Sequence, residues 1–426
     1  SIRRQRQMCI RDRSNTNFCV GTEVTLSASS DPGASFLWTG GVTDGVPFIP
    51  QSSVPTDFSS VSSGPWRIAS ADIDGDGKKD LITTGLFSHD VAIHVNISGN
   101  DGVTAFSPTT SNFAVSDYPE SVAIGDLDGD GREDVVVACQ TNSAISIIRN
   151  TSSIGVISMD PKVDLVSGSG NTFSDVKIAD IDGDGKLDIL VLSDQGSVSQ
   201  DRIFVHRNVS TVGSLTSASF ATPVILTLTL TSTQSFEIAD VNDNGKNDIV
   251  VAGHSLVDQV QIIENISSTG IVSFASPVSY SGSGLDLKVV DVDGDSKKDI
   301  ICAANSNISV FKNVSSINNI AFNSGVDFSK DGNWAFSIDV ADVNGDGKPD
   351  VVVGDENSHN ISYFVNTTVA NTIDVNAFST AEVYPSGGQK PRDVLIEDFD
   401  NDGVNEVVVS TSVSYTHLTL PTNTPV

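Results

Sequence analysis

The stretch WRIASADIDGDGKKDLITTG, from Trp66 to Gly85, carries the pattern that organises the chain. A short apolar run leads into DIDGDGKKD, Asp72 to Asp80, and a second apolar run follows. The same nine-residue pattern begins again at Asp126, Asp180, Asp240, Asp291, Asp342 and Asp398, at steps of 54, 54, 60, 51, 51 and 56 residues. A recurrence of that size means stacked supersecondary units, none of which can bury its apolar face alone.

Within each copy, side-chain oxygens at positions 1, 3 and 5 of a tight turn converge. A glycine at position 6 turns the backbone, and a carboxylate at position 9 closes an oxygen cage. Hard oxygen donors in that number suit Ca²⁺ better than Mg²⁺, which asks for a regular octahedron and more water. Taken in order, the candidate ligands are Asp72, Asp74, Asp76 and Asp80; Asp126, Asp128, Asp130 and Asp134; Asp180, Asp182, Asp184 and Asp188; Asp240, Asn242, Asn244 and Asp248; Asp291, Asp293, Asp295 and Asp299; Asp342, Asn344, Asp346 and Asp350; and Asp398, Asp400, Asp402 and Glu406. The amides of the fourth loop carry less charge and predict weaker binding there. Ser296 stands where the fifth loop would have glycine, which weakens that copy slightly.

An EF-hand begins the same way but needs a bidentate Glu at position 12 and flanking helices. Position 12 is Thr83, Val137, Val191, Val251, Cys302, Val353 and Val409, and the segments after the loops (DVVVAC, DILVLS, DIVVAG and their counterparts) are short, β-branched and apolar. They read as buried strands, so an EF-hand is rejected.

Each loop has a strand-like segment before it and one after it. A third ends in Asn96, Asn150, Asn208, Asn265, Asn313 or Asn366, and a less regular fourth follows. Four strands in about 50 residues, seven times, predict an all-β fold, a seven-bladed β-propeller with a DxDxDGxxD calcium loop in each blade. The repeat resembles the FG-GAP/VCBS family of calcium-loop propellers, over roughly residues 44–412. That resemblance implies that the loop joins the first two strands of each blade, and it assigns the metal ligands to the residues named above, with up to seven Ca²⁺.

The expected domain organisation is 1–16 a non-native, adaptor-like segment, 17–43 a fragment resembling a bacterial PKD/Ig-like domain (Cys19 and Trp38 carry the likeness), 44–413 the propeller, and 414–426 a non-native tail. Residues 44–60 resemble an outer strand and are expected to close the ring with the last repeat. SYTHLTL, in the tail, alternates well enough to occupy the gap left there.

Net charge is −30, and twenty-five of the 54 acids sit at loop positions. That acidity argues against nucleic acid, whose phosphates need Lys and Arg. No apolar run reaches 18 residues, so no membrane span is encoded. Four cysteines are too few for a disulfide framework, and Cys139 and Cys302 read as buried free thiols. The six strand-ending asparagines are Asn-x-Ser/Thr sequons in one repeat phase. Capping of a turn by the Asn side chain is the favoured reading there, with glycosylation the alternative.

No nucleophile motif or zinc motif is present. His89 and His359 share one offset from their loop aspartates and read as rim-loop residues. The connections entering each first strand lie opposite the loops, and they carry Trp66, Tyr118, Trp334 and Arg392 as candidate contacts for a protein or glycan ligand. The expectation is a calcium-stabilised extracellular adhesion or ligand-binding module, a monomeric propeller within a larger secreted or surface chain. The alternative is the accessory or catalytic propeller of a secreted polysaccharide-degrading enzyme.

Overall fold

Six four-stranded antiparallel sheets follow one another along the chain in the computed structural model. The described residues are 9–11, 17–19, 64–99, 104–168, 170–196, 199–254, 259–317, 319–330, 332, 334–411 and 417–419. The blades open on Pro65–Ala71, Pro119–Gly125, Thr172–Ala179, Thr233–Ala239, Asp286–Val290 and Ala335–Ala341. Each runs outward in sequence order, as in the first blade from Pro65–Ala71 through Asp80–Gly85 and Asp90–His94 to Ser111–Ala114. This is the β-propeller the repeat predicts.

The expected count of seven blades is corrected to six. The last sheet has three strands, Pro391–Glu397, Glu406–Thr411 and His417–Thr419. A blade needs a fourth, outer strand, and no described segment supplies one. The stretch 44–60, expected to do so, lies outside the described residues, as does Trp38. The tail segment does take the third position, with Leu418 opposite Ser410. Near the start, Cys9–Arg11 pairs antiparallel with Asn17–Cys19. Of 17–43, expected to be a PKD/Ig-like fragment, only those last three residues are described.

Second strands are buried along their whole length, as in Asp134–Cys139, except at Asp194 in the third blade, because both faces are covered by neighbouring blades. Their β-branched runs are what such a position selects. The apolar core is divided into clusters, each lying between neighbouring sheets. Leu127, Val136, Ile147, Phe173, Ile189 and Phe204 belong to the one between the second and third blades. The one joining the three-stranded sheet to the first blade is smaller, with Ile68, Leu81, Phe106, Phe399 and Val408. Cys139 and Cys302 are free and buried.

Around the axis the first strands carry polar residues, five positions before each loop: Arg67, Ser121, Asp175, Ser235, Asp286, Ser337 and Asp393. The three aspartates sit on alternate sheets and bridge their neighbours. Asp175 accepts from Ser121 Oγ (2.7 Å) on one side and from Phe236 N (3.1 Å) on the other. Asp286 accepts from Ile338 N (3.0 Å). Asp393 accepts from Ser337 Oγ (2.6 Å), Ile68 N (2.8 Å) and Arg67 Nη1 (3.3 Å). Burial opposes the charge on Arg67, but Asp393, Asp286 and Asp175 outweigh it and raise its pKa. One step along, Lys177, Glu237, Lys288 and Asp339 form an alternating ion-pair chain with separations of 3.2, 3.7 and 3.4 Å. All of these side chains except Glu237 and Ser337 line an axial cavity of about 100 Å³, room for a few waters.

Candidate metal centres and the opposite rim

Each acidic loop joins the first strand of its sheet to the second, as in Ala71 to Asp80. The carboxylate at position 1 shapes the turn. Asp72 accepts from Asp76 N at 3.0 Å and from Gly77 N at 2.8 Å. Gly77 sits at φ 89°, where a side chain would be strained. Ser296 takes the equivalent place in the fifth loop at φ 70°, so that loop keeps its shape at a cost of about 1 kcal/mol.

The carboxylate at position 9 is fully buried, and in the six blades it spends both oxygens on backbone N–H groups. Asp80 accepts from Ile73 N (3.0 Å) and Asn96 N (2.8 Å), and every other loop repeats the first of these contacts. Burial pushes the pKa of Asp80, Asp134 and Asp299 up to about 7, and that of Asp188, Asp248 and Asp350 up to about 6, with nearby loop carboxylates adding to it. Glu406, in the three-stranded sheet, goes to about 9 for the same reasons.

Carboxylate oxygens lie within 4.8 Å of one another in five groups: Asp72, Asp74 and Asp80; Asp126, Asp128 and Asp134; Asp180, Asp182 and Asp188; Asp291, Asp293 and Asp295; Asp398, Asp400 and Glu406. In the fourth and sixth loops the position-3 group is an amide, Asn242 or Asn344, and no three acids converge among the described residues. Converging carboxylates repel unless a cation lies among them. Two buried acceptors at position 3, Asn242 Oδ1 and Asp293 Oδ1, have no partner. An all-oxygen donor set with orphaned acceptors fits a hard divalent cation.

The strand-ending asparagines, which the sequence marked as turn caps, are also latches between sheets. Asn150 Oδ1 accepts from Ser152 N (2.8 Å), which is the cap. Its Nδ2 donates to Glu133 O in its own loop (3.0 Å) and to Ile73 O in the loop of the preceding blade (2.8 Å). Asn208, Asn265, Asn313 and Asn366 repeat the link to the preceding blade, and Asn96 makes it to Phe399 O. With both amide hydrogens used and at most 1% exposure, none of them is a glycan acceptor in the folded chain.

At the opposite edge, first strands carry a β-bulge at the same station in six sheets. A bulge re-aims its side chain. Two expected rim residues, Trp66 and Arg392, come together there with Phe336. Arg392 lies over the Trp66 ring at 4.2 Å and the Phe336 ring at 4.9 Å, and it pairs with Glu356 at 2.9 Å. Burial pushes Glu120 up to about 7, against the pull of Arg67, a hydrogen bond from the Trp66 side chain, and Arg392. Arg392 Nε has no partner. The other two expected residues stand on their own lead-in turns. Tyr118 and Trp334 are each 39% exposed, edge-on to His89 (5.1 Å) and His254 (6.0 Å).

The role of His89 and His359 was not legible in the sequence. Each accepts, through Nδ1, the first backbone N–H of the next lead-in turn, Tyr118 N (3.0 Å) and Lys390 N (2.9 Å). Their shared offset was the available signal. His94 and His206 are buried, which pulls both down to about 4. His206 meets Ser167 at 2.8 Å across the second and third blades. No helix among the described residues is long and apolar enough to cross a membrane.

The sequence model of a family described as FG-GAP-like repeat matches residues 126–191, 180–251, 291–353 and 344–409, more than half of the chain. No curated protein matches. Among solved structures, BBS1N, crystallised in complex with ARL6DN, is similar at a TM-score of 0.53 and 13% identity, over 86% of this chain and 94% of that one. A lectin of Agrocybe aegerita, described as recognising non-reducing terminal N-acetylglucosamine, is similar at a TM-score of 0.50 and 17% identity, over 76% and 80%. At such identities the likeness concerns the fold.

Proposed function

The chain belongs to the FG-GAP-like repeat family, and on that premise we propose that it is a calcium-stabilised extracellular binding module of a larger secreted or surface protein. The observation that carries the metal half is the convergence of carboxylates at one station in five sheets, coupled to buried position-9 acids. A bound Ca²⁺ supplies the charge that keeps those acids ionised. The fourth and sixth loops supply amide and carboxylate oxygens for two further, weaker sites. Seven ions would offset 14 of the 30 net negative charges. The metals are fasteners in this reading, because the asparagine latches run from loop to loop around the ring. Extracellular modules bind Ca²⁺ at roughly 0.1–1 mM, which matches a calcium-rich surrounding.

The binding half rests on the opposite edge, where Trp66, Phe336, Arg392 and Glu120 present aromatic faces, charges and an unpartnered donor at Arg392 Nε. Aromatic and arginine anchors are what protein and sugar interfaces favour. Two solved structures similar in fold, one in complex with a protein and one recognising a sugar, illustrate both ligand classes. The test is a screen of the calcium-loaded chain against a glycan array and a panel of extracellular proteins. Binding abolished by Arg392→Ala with Trp66→Ala supports the rim, and binding that survives both substitutions overturns it.

A further inference from the structure

One position outside the nine-residue loops reaches into them. It is the residue just before the strand-ending asparagine: Val95, Arg149, Arg207, Glu264, Lys312 and Val365. The third strand brings it beside its own blade's loop. Arg149 Nε meets Asp128 and its Nη2 meets Asp130, both at 2.5 Å. Arg207 lies 3.6 Å from Asp182 and 3.4 Å from Asp184. Lys312 bonds Asp293, and Asp295 at 2.6 Å. Each cation therefore faces positions 3 and 5 of a loop with four aspartates.

The fourth loop inverts this arrangement. Its four ligand positions hold two aspartates and two asparagines, and here the residue is an acid. Asn242 Nδ2 donates to Glu264 Oε1 at 3.0 Å, while Asn242 Oδ1 is buried without a partner. In every loop but the fourth and fifth the position-3 oxygen accepts from the position-5 N–H, as in Asp74 (3.1 Å), Asp128 (3.1 Å) and Asn344 (2.9 Å); in the fifth, Asp293 Oδ1 is also unpartnered, but there Lys312 holds the other oxygen. Turning the Asn242 amide over would satisfy nothing without a cation, since two oxygens would then face each other. With one, it would put both at the spacing of roughly 3 Å that ligand oxygens 2.3–2.6 Å from a shared Ca²⁺ adopt.

The charges balance to one value. Counting only the four ligand positions and this station, four aspartates with an arginine or lysine, two aspartates with Glu264, and three aspartates with Val365 each leave a formal charge of −3 at the second to sixth loops. The first loop, beside Val95, stays at −4.

We propose that Glu264 is the carboxylate ligand that makes the fourth loop a divalent-cation site, and that Arg149, Arg207 and Lys312, at the same station, weaken metal binding in their own loops. The inference rests on the calcium reading above and adds an order of affinity to it. The first loop binds more tightly than the second, third and fifth, and the fourth depends on a residue the loop pattern does not contain.

The test counts ions bound during Ca²⁺ titration by native mass spectrometry. Glu264→Gln should lose one ion at concentrations that fill the wild type, and adding Asn242→Asp should restore it. Arg149→Gln should fill its site at lower Ca²⁺, a gain that misfolding cannot mimic. Glu264→Gln with an unchanged count and midpoint overturns the proposal, as does a loss that Asn242→Asp leaves unrepaired or an Arg149→Gln that binds no tighter. A wild type that takes up no Ca²⁺ overturns the calcium reading itself.

Discussion

The seam between the second and third blades and the seam between the three-stranded sheet and the first blade are built from the same parts in different amounts. Both have a Ser/Asp or Arg/Asp bridge near the axis and an asparagine latch at the loop edge. Ser410 Oγ to Trp66 O (3.0 Å) and Thr104 Oγ1 to Asp400 (3.3 Å) add to the second. The apolar packing differs: thirteen buried residues form the first cluster and five the last, among the described residues. Apolar burial contributes roughly 25 cal/mol per Å², so the closure leans on its polar staples and its loop more than the body does. On the described residues, this seam is where the ring is expected to open first.

Metal removal tests that comparison with the largest effect. At ten times Kd each filled site contributes about 1.4 kcal/mol, and seven sites on the order of 10 kcal/mol, comparable with the stability of a whole domain. Excess EGTA should lower the melting midpoint strongly. Hydrogen exchange should then rise in Pro391–Glu397 and Pro65–Ala71 before Thr172–Ala179. An unchanged midpoint sinks the calcium dependence, and uniform exchange around the ring removes the weak seam.

Asp393→Ala comes next. It strips partners from Ser337, Ile68 and Arg67 and leaves a buried guanidinium without its nearest acid, a loss of about 3–5 kcal/mol. Ser121→Ala, in the body, loses one neutral donor to Asp175 and should cost about 1 kcal/mol in urea unfolding. Equal costs would contradict the comparison.

A smaller effect concerns pH in the metal-free protein. The position-9 acids hold protons more tightly folded than unfolded, so their contribution is complete below about pH 4 and fades as pH rises through the folded values. Those values are about 6 to 7 in the six blades and about 9 for Glu406. The melting midpoint in EGTA should therefore fall from pH 4 to 7, and further toward 9 as the closure ionises. Saturating Ca²⁺ should abolish the fall, and a midpoint that rises over this range without metal would contradict the upward shift of these acids. Smallest of all, Tyr118→Ala and Trp334→Ala remove half-exposed edge-on ring contacts and should shift stability by at most about 1 kcal/mol. A larger loss would give the rim a structural role.

Much of the fold was legible. The turn from Asp72 to Asp80 closes on itself within nine residues, so its shape follows from local hydrogen bonds. The runs DVVVAC and DILVLS declare strands covered on both faces. The Ser/Asp alternation five residues before each loop was also in plain view, at Ser121, Asp175, Ser235, Asp286, Ser337 and Asp393. It carries no local signature, because each aspartate serves its neighbours' backbones. The blade count failed for a related reason. Repeats along the chain report loops, whereas a blade is complete only when an outer strand pairs with it, and no described strand fills that place in the last sheet.

By itself the sequence determined the all-β class, the repeat, the family, the acidic turns and the asparagine caps, because each depends on residues within a few positions of one another. Only the tertiary structure decided that there are six blades and a three-stranded sheet, and that the asparagines latch one sheet to the next. It also decided that Trp66 stacks with Arg392, and that Arg149, Arg207, Glu264 and Lys312 stand over their own loops. Those pairings join residues some 20 to more than 300 positions apart, and ring closure alone brings the most distant of them together.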